Sequence, residues 1–197
     1  MELNESEIAK LDWVKATEIA NQNWENWADC FENKGELADL PIIKDRHKYQ
    51  SFVYEYSVFR GFKRARIEQV FSHLASIQTP SNGNFLEPYT FIQKGFDSTG
   101  KKRSVISFSS KLLSLWAPAE YPMWDQYVRN GLRKVAVVPK SKGFHSNKPE
   151  SYENFREVFF LVRDKLRQRG SAGNYLQEHE TRKGFTNRVL DVALMNL

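Results

Sequence analysis

Between residues 151 and 169 the apolar side chains of Phe155, Val158, Phe159, Val162 and Leu166 recur at helical spacing with charged residues between them. A strand alternates its side chains and cannot present such a stripe. The stripe obliges the chain to bury one face of a long helix against other elements. Gly170 stands where a helix terminator belongs. The same periodicity recurs upstream, in Tyr49, Phe52, Val53, Tyr56 and Phe59, and after Gly61 in Ile67, Val70, Phe71 and Leu74. Residues 5–33 read as one long helix or two abutting ones, opened by Asn4 with Glu7 as a capping box and closed by Gly35. Short helices are expected over 89–96, 107–116 and from Pro122, and a last one over 181–195; TPSNGNFLEP (79–88) and VPKSKGFHSNKPE (138–150) read as loops. VISF (105–108) has strand character but no partner of comparable quality. The expectation is an all-α chain.

With 197 residues and 41% hydrophobic content there is material for one well-buried core, so residues 1–197 are expected to form a single helical domain and a monomer. No apolar run approaches the ~18 residues of a membrane span, and MELNESEIAK is unlike a signal peptide, so a cytoplasmic protein without membrane contact is expected. Cys30 is the only cysteine, and the four histidines are scattered, so the sequence gives no reason to expect a metal or other cofactor.

Charge is distributed unevenly. Residues 1–40 hold ten acidic and three basic residues, net −7, whereas residues 41–197 hold 26 basic and 14 acidic, net +12. A body this basic favours a polyanion, nucleic acid first, although Lys and Arg also serve simply to solvate helix faces.

One segment, SSKLLSLWAPAEYPMWDQYV (109–128), combines an apolar helix with two opposite charges. On a helix over 107–116, Phe108, Leu112, Leu115 and Trp116 share a face and Lys111 lies on its border. Pro122 is suited to begin the next helix and places Asp125 near its first turn, where unpaired backbone N–H groups stabilise a carboxylate. A tight turn between them lets both charges face one cleft. An amine whose proton is loosened by an apolar border, beside a fixed anion, suits attack on an electron-poor carbon such as a sugar C1′. A border lysine also snorkels to water and a first-turn Asp also simply caps a helix, and spacing alone leaves both readings open.

The order of lysine, apolar helix, proline and aspartate in SSKLLSLWAPAEYPMWD resembles the catalytic segment of the helix-hairpin-helix DNA glycosylases, in the short branch related to the 8-oxoguanine glycosylases. DRHKYQSFVYEYSVFRGFKRARIEQVF (45–71) is similar to the aromatic helix and basic turn that precede that site, so the resemblance spans residues 45–135. The acidic segment 1–40 and the C-terminal helices of 150–197 lie outside it. The resemblance implies a helical glycosylase fold with a cleft between two halves, and excision of a damaged or modified base from DNA. Lys111 would be the nucleophile that forms a Schiff base with the sugar, and Asp125 the assisting carboxylate.

On that reading Trp116 and Trp124 are candidates to line the pocket for a flipped base, and Lys101, Lys102, Arg103, Arg129 and Arg133 to hold phosphate. The family's hairpin glycines are replaced by ISFS, leaving Ser107, Ser109 and Ser110 as candidate phosphate donors. Removal of a hypermodified cytosine from bacteriophage DNA as an antiviral defence, and a non-catalytic basic DNA-binding module, are the alternatives.

Overall fold

The computed structural model describes residues 1–31, 85–97, 105–116, 118–137, 143–144, 148–177, 182 and 184–197. The helices expected within 45–74, Gly35 and the turn at 98–104 lie outside the described residues, as do positions 138–142 and 145–147 of the basic loop. Eight helices are described: α1 (Glu5–Ile8), α2 (Trp13–Phe31), α3 (Leu86–Asp97), α4 (Ile106–Trp116), α5 (Gln126–Val135), α6 (Pro149–Arg167), α7 (Gly170–Tyr175) and α8 (Phe185–Met195). Among the described residues there is no strand, and the one β-type contact is an antiparallel bridge between Leu3 and Ala136. The described residues agree with the all-α class expected from the periodicity.

The VISF segment is helical. Val105 precedes α4, its carbonyl accepts the Ser109 N–H at 2.8 Å, and a lone apolar run without a partner strand has no other way to satisfy its backbone. Leu86 to Pro88, expected in a loop, form the first turn of α3, where proline's missing N–H leaves no bond unmade.

At the N-terminus the expected single cap is replaced by a break. Asn4 makes no side-chain cap and instead accepts from Ser6 Oγ, and Glu7 pairs with Lys10. Asp12 opens the long helix instead, with Oδ1 accepting the Lys15 N–H at 3.0 Å and its carbonyl accepting the Ala16 N–H. The acidic segment is tied to the basic body. Asn4 N–H donates to the Val135 carbonyl, Val137 N–H to the Glu2 carbonyl, and Glu5 pairs with Arg169.

At the centre lies α8, in which every residue from Phe185 to Leu194 is buried. It packs against α2 and α5, with Trp24 of α2 edge-on to Phe185. Gly131 lets α5 approach closely, since a Cβ there would lie 2.2 Å from the Leu194 carbonyl oxygen. The stripe on α6 is buried as its spacing demands, Phe155, Phe159, Val162 and Leu166 completely so, each contributing roughly 1.5–3 kcal/mol. Around Phe155 cluster Trp124, Phe144 and Tyr152, with Phe85 stacked on Tyr152. Gly170 begins α7 and does not end α6, which stops at Arg167 with Gln168 as its cap. Before α8, Gly184 takes a left-handed φ of +85° against Pro118 and Ala119.

Candidate active site

Lys111 sits midway along α4, a helix far less one-sided than its pattern suggested. Ile106, Phe108, Ser109, Ser110, Leu113 and Ser114 are all buried, and only Ser107 is exposed among its described side chains. The border position expected for Lys111 is therefore an interior one, its side chain only 8% exposed. Helices α3 and α2 pack against α4 and close over the faces that would otherwise reach water.

Asp125 is the N-cap of α5. Its backbone is extended, Oδ1 accepts the Tyr127 N–H at 2.8 Å, and Oδ2 lies 3.6 Å from Lys111 Nζ. One oxygen is committed to the helix and the other to the amine. Pro122 does not start α5 as expected. It belongs to the irregular segment 121–125 that delivers the aspartate, in which the Asp125 N–H donates to the Met123 carbonyl at 3.0 Å.

Three later side chains hold this connection. Tyr152 Oη donates to the Pro122 carbonyl at 2.9 Å, and Arg156 Nε donates to that of Glu120 at 2.8 Å. Asn187 Nδ2 donates to the carbonyls of both Pro118 and Ala119, at 2.8 and 3.1 Å. The final clamp is Ser110 Oγ, which accepts the Trp124 N–H at 2.9 Å. Ser110 adjoins Lys111 and Trp124 adjoins Asp125, so this one bond fixes the spacing of the two charges.

Burial pulls the proton affinity of Lys111 below that of an ordinary lysine. Asp125 opposes that pull most, Asp191 also opposes it, and Arg188 adds to it. The result is an amine that holds its proton less tightly than an ordinary lysine, beside a carboxylate that reaches the surface, with a quarter of the Asp125 side chain exposed.

Other expected site residues fare differently. Ser109 and Ser110 are fully buried, and Ser110 Oγ donates to the Ser107 carbonyl while accepting from Trp124, so neither meets a phosphate at the surface. Ser107 alone of the three is exposed. Trp124 belongs to the core, edge-on to Phe155 and with the Arg129 guanidinium 4.3 Å from its ring centroid, which leaves no face for a base to stack on. Arg129 and Arg133 do share a side of α5. Both guanidinium groups turn to the Phe144 carbonyl, at 3.5 and 2.9 Å, and Arg133 also covers the Phe144 ring. Lys101, Lys102, Arg103 and the Trp116 side chain lie outside the described residues.

Sequence reasoning missed the polar group that α8 sends toward the site. Asn187, Arg188 and Asp191 are buried, and Asp191 accepts the Met123 N–H while burial pushes its carboxyl up to about 7 against the pull of Arg188. The signal lay in FTNRVLDVALM, a helix whose apolar residues run all round it and whose three central polar residues share one face. A helix apolar on every side is buried, and a charge inside it needs a partner.

Among the described residues no group of three or more His, Cys, Asp and Glu side chains is arranged to hold a metal ion. None of the helices described there is long and apolar enough to cross a membrane. No protein-family model matches the chain, and neither curated proteins nor solved structures give a match.

Proposed function

We propose that this chain is a DNA glycosylase of the lysine-nucleophile kind, built on a helix-hairpin-helix-like helical scaffold. The observation that carries the reading is the buried Lys111 amine, its proton loosened by burial, 3.6 Å from a carboxylate fixed by its own helix cap. A lysine nucleophile must be unprotonated, and removal from water is one of the ways an enzyme achieves this.

The chemistry follows from the pair. Lys111 Nζ bonds to C1′ of the target nucleotide as the C1′–N bond breaks, and the electron pair leaves with the base, which takes a proton from solvent. The alkylated nitrogen gives up a proton, the C1′–O4′ bond opens with protonation of O4′, and an iminium joins Nζ to C1′. Water then adds to the iminium and releases Lys111, leaving an abasic site; loss of a C2′ proton before that step expels the 3′ phosphate and nicks the strand. The Asp125 carboxylate stabilises the positive charge that develops at C1′.

Borohydride reduces the iminium to a stable amine and so traps protein on DNA. With a panel of oligonucleotides carrying oxidised, alkylated or modified bases, and with hypermodified bacteriophage DNA, wild type is expected to give a covalent adduct that Lys111→Gln does not. Full base release by Lys111→Gln would overturn the nucleophile assignment. One rival draws on the same geometry: the depth of Lys111 also suits a purely structural ion pair in a non-catalytic DNA-binding module. That rival predicts salt-dependent DNA binding with no base release from any substrate in the panel.

A further inference from the structure

Behind the Lys111–Asp125 pair lies a second, wholly interior polar group that the chemistry above does not use. A cavity of about 10 Å³, room for about one water molecule, is lined by Ser114 of α4, Tyr121 and Met123 of the connection, and Asn187, Arg188 and Asp191 of α8. Ser114 is three residues beyond Lys111 and its Oγ donates to the Lys111 carbonyl at 2.8 Å. Met123 is two residues before Asp125, and its N–H bonds Asp191 while its sulfur faces Arg188 Nη1 at 3.6 Å. Asp191 thus touches the backbone on which Asp125 is mounted and shares a cavity with the helix that carries Lys111.

Two buried oxygens here, Asp191 Oδ1 and Tyr121 Oη, have no hydrogen-bond partner among the described residues. A carboxylate with one bare oxygen in the interior is costly, and nearby groups feel its charge more strongly than they would at the surface because water screens it less. Those groups come from every surrounding element: Arg188 on its own helix, Lys111 on α4, Asp125 at the start of α5, Tyr121 on the connection and Tyr152 on α6. Two cations and two carboxylates therefore form a compact set with Lys111 at one end.

We propose that Asp191 is a positioning residue for Lys111: its buried carboxylate, opposed by Arg188, adds to Asp125 in favouring the ammonium form and so helps to set the pH at which Lys111 becomes a nucleophile. This deepens the glycosylase reading and rests on it for its consequence in turnover, but the electrostatic claim stands on the chain alone. The Asp191 charge favours the ammonium form and the Arg188 charge disfavours it, so replacements at the two positions act in opposite directions.

The test is a pH titration of the full-length protein labelled with ¹³Cε-lysine, followed by NMR, with the Lys111 signal identified by its loss in Lys111→Gln. Asp191→Asn keeps the shape and an acceptor for the Met123 N–H while removing the charge. Its Lys111 midpoint is expected to move down, and that of Arg188→Gln to move up. An unmoved midpoint in folded Asp191→Asn overturns the proposal. Should that variant fail to fold, wild type suffices, because the Lys111 signal is expected to show a second inflection where Asp191 titrates; a single smooth transition overturns the proposal.

In borohydride trapping, the acid limb of the pH profile is expected to shift to lower pH in Asp191→Asn, raising the rate severalfold on that limb. Superimposable trapping profiles overturn the positioning role. Absence of trapping by wild type on every substrate overturns the glycosylase reading and leaves the NMR result to stand or fall by itself.

Discussion

Asp125 divides its two oxygens between two tasks, and two substitutions separate them. Oδ1 caps α5 through the Tyr127 N–H at 2.8 Å and Oδ2 faces Lys111 Nζ at 3.6 Å. Asn retains an acceptor for the helix and loses the charge, whereas Ala loses both. Replacing an Asp cap by Ala costs about 1 kcal/mol, while Asn ranks with Asp at this position. The ion-pair contribution is lost equally in both variants. Its gross attraction, about 5 kcal/mol at 3.6 Å with an effective dielectric of about 20, is largely offset by the cost of keeping the amine from water. The isolated amine also relieves its position by shedding a proton. The expected pattern is therefore an Ala variant less stable than the Asn variant by about 1 kcal/mol, or about 2–4 °C in Tm for a chain of this size. Both variants are expected to lose roughly 10²-fold or more in single-turnover base release, as when one preorganised electrostatic group is removed from a site. Thermal unfolding and single-turnover assays of the pair check this. Equal Tm values would show that Oδ1 does not support α5, and an unchanged rate in Asp125→Asn would remove the carboxylate from the chemistry.

Gly131→Ala, normally worth a gain of up to about 1 kcal/mol within a helix, is expected to destabilise here by about 1–3 kcal/mol. The new Cβ would meet the Leu194 carbonyl at 2.2 Å, backbone that cannot rotate away, and a Tm equal to or above wild type would refute that close approach. Stability is also expected to depend on Asp191, whose carboxyl is raised by burial from 3.8 to about 7. Between those values the folded chain binds more protons than the unfolded one, so this group's contribution to stability falls as pH rises from about 4 to about 7 and then levels. The Tm of wild type minus that of Asp191→Asn, followed across this range, is expected to decline; a flat difference would show that Asp191 titrates normally.

The parts of the fold that were legible are those where periodicity meets a single buried face. On α6 each expected apolar residue is buried, and helix α4 lies within one residue of its expected start. Helix ends were less legible because several residues competed for each role: Asn4 offered a capping sequence, but the chain turns at Asp12, whose carboxylate is better aimed at a free N–H. At the site, the short connection expected between Lys111 and Asp125 does bring the two charges together, 3.6 Å apart, although Pro122 does not open the next helix. Their surroundings were not readable, since burial of Ser109, Ser110 and Lys111 comes from elements distant in sequence or beyond the turn, α2, α3 and the residues around Trp124 among them, and leaves no mark within α4 itself. Trp124 shows the same limit: a tryptophan beside a candidate catalytic residue is as good a core residue as a pocket wall, and the contacts with Phe155 and Arg129 decide it.

The connection between α4 and α5 is short in sequence, yet its carbonyls are held by Tyr152, Arg156 and Asn187, which follow it in the chain. During synthesis Lys111 and Asp125 emerge well before the side chains that brace them. The two charges are thus sequence neighbours whose connection is fully braced only once α6 and α8 dock. A nascent or truncated chain lacking α8 carries both charges without the Asn187 amide that braces the connection between them, so the pair acquires its full setting only when the last helix is in place.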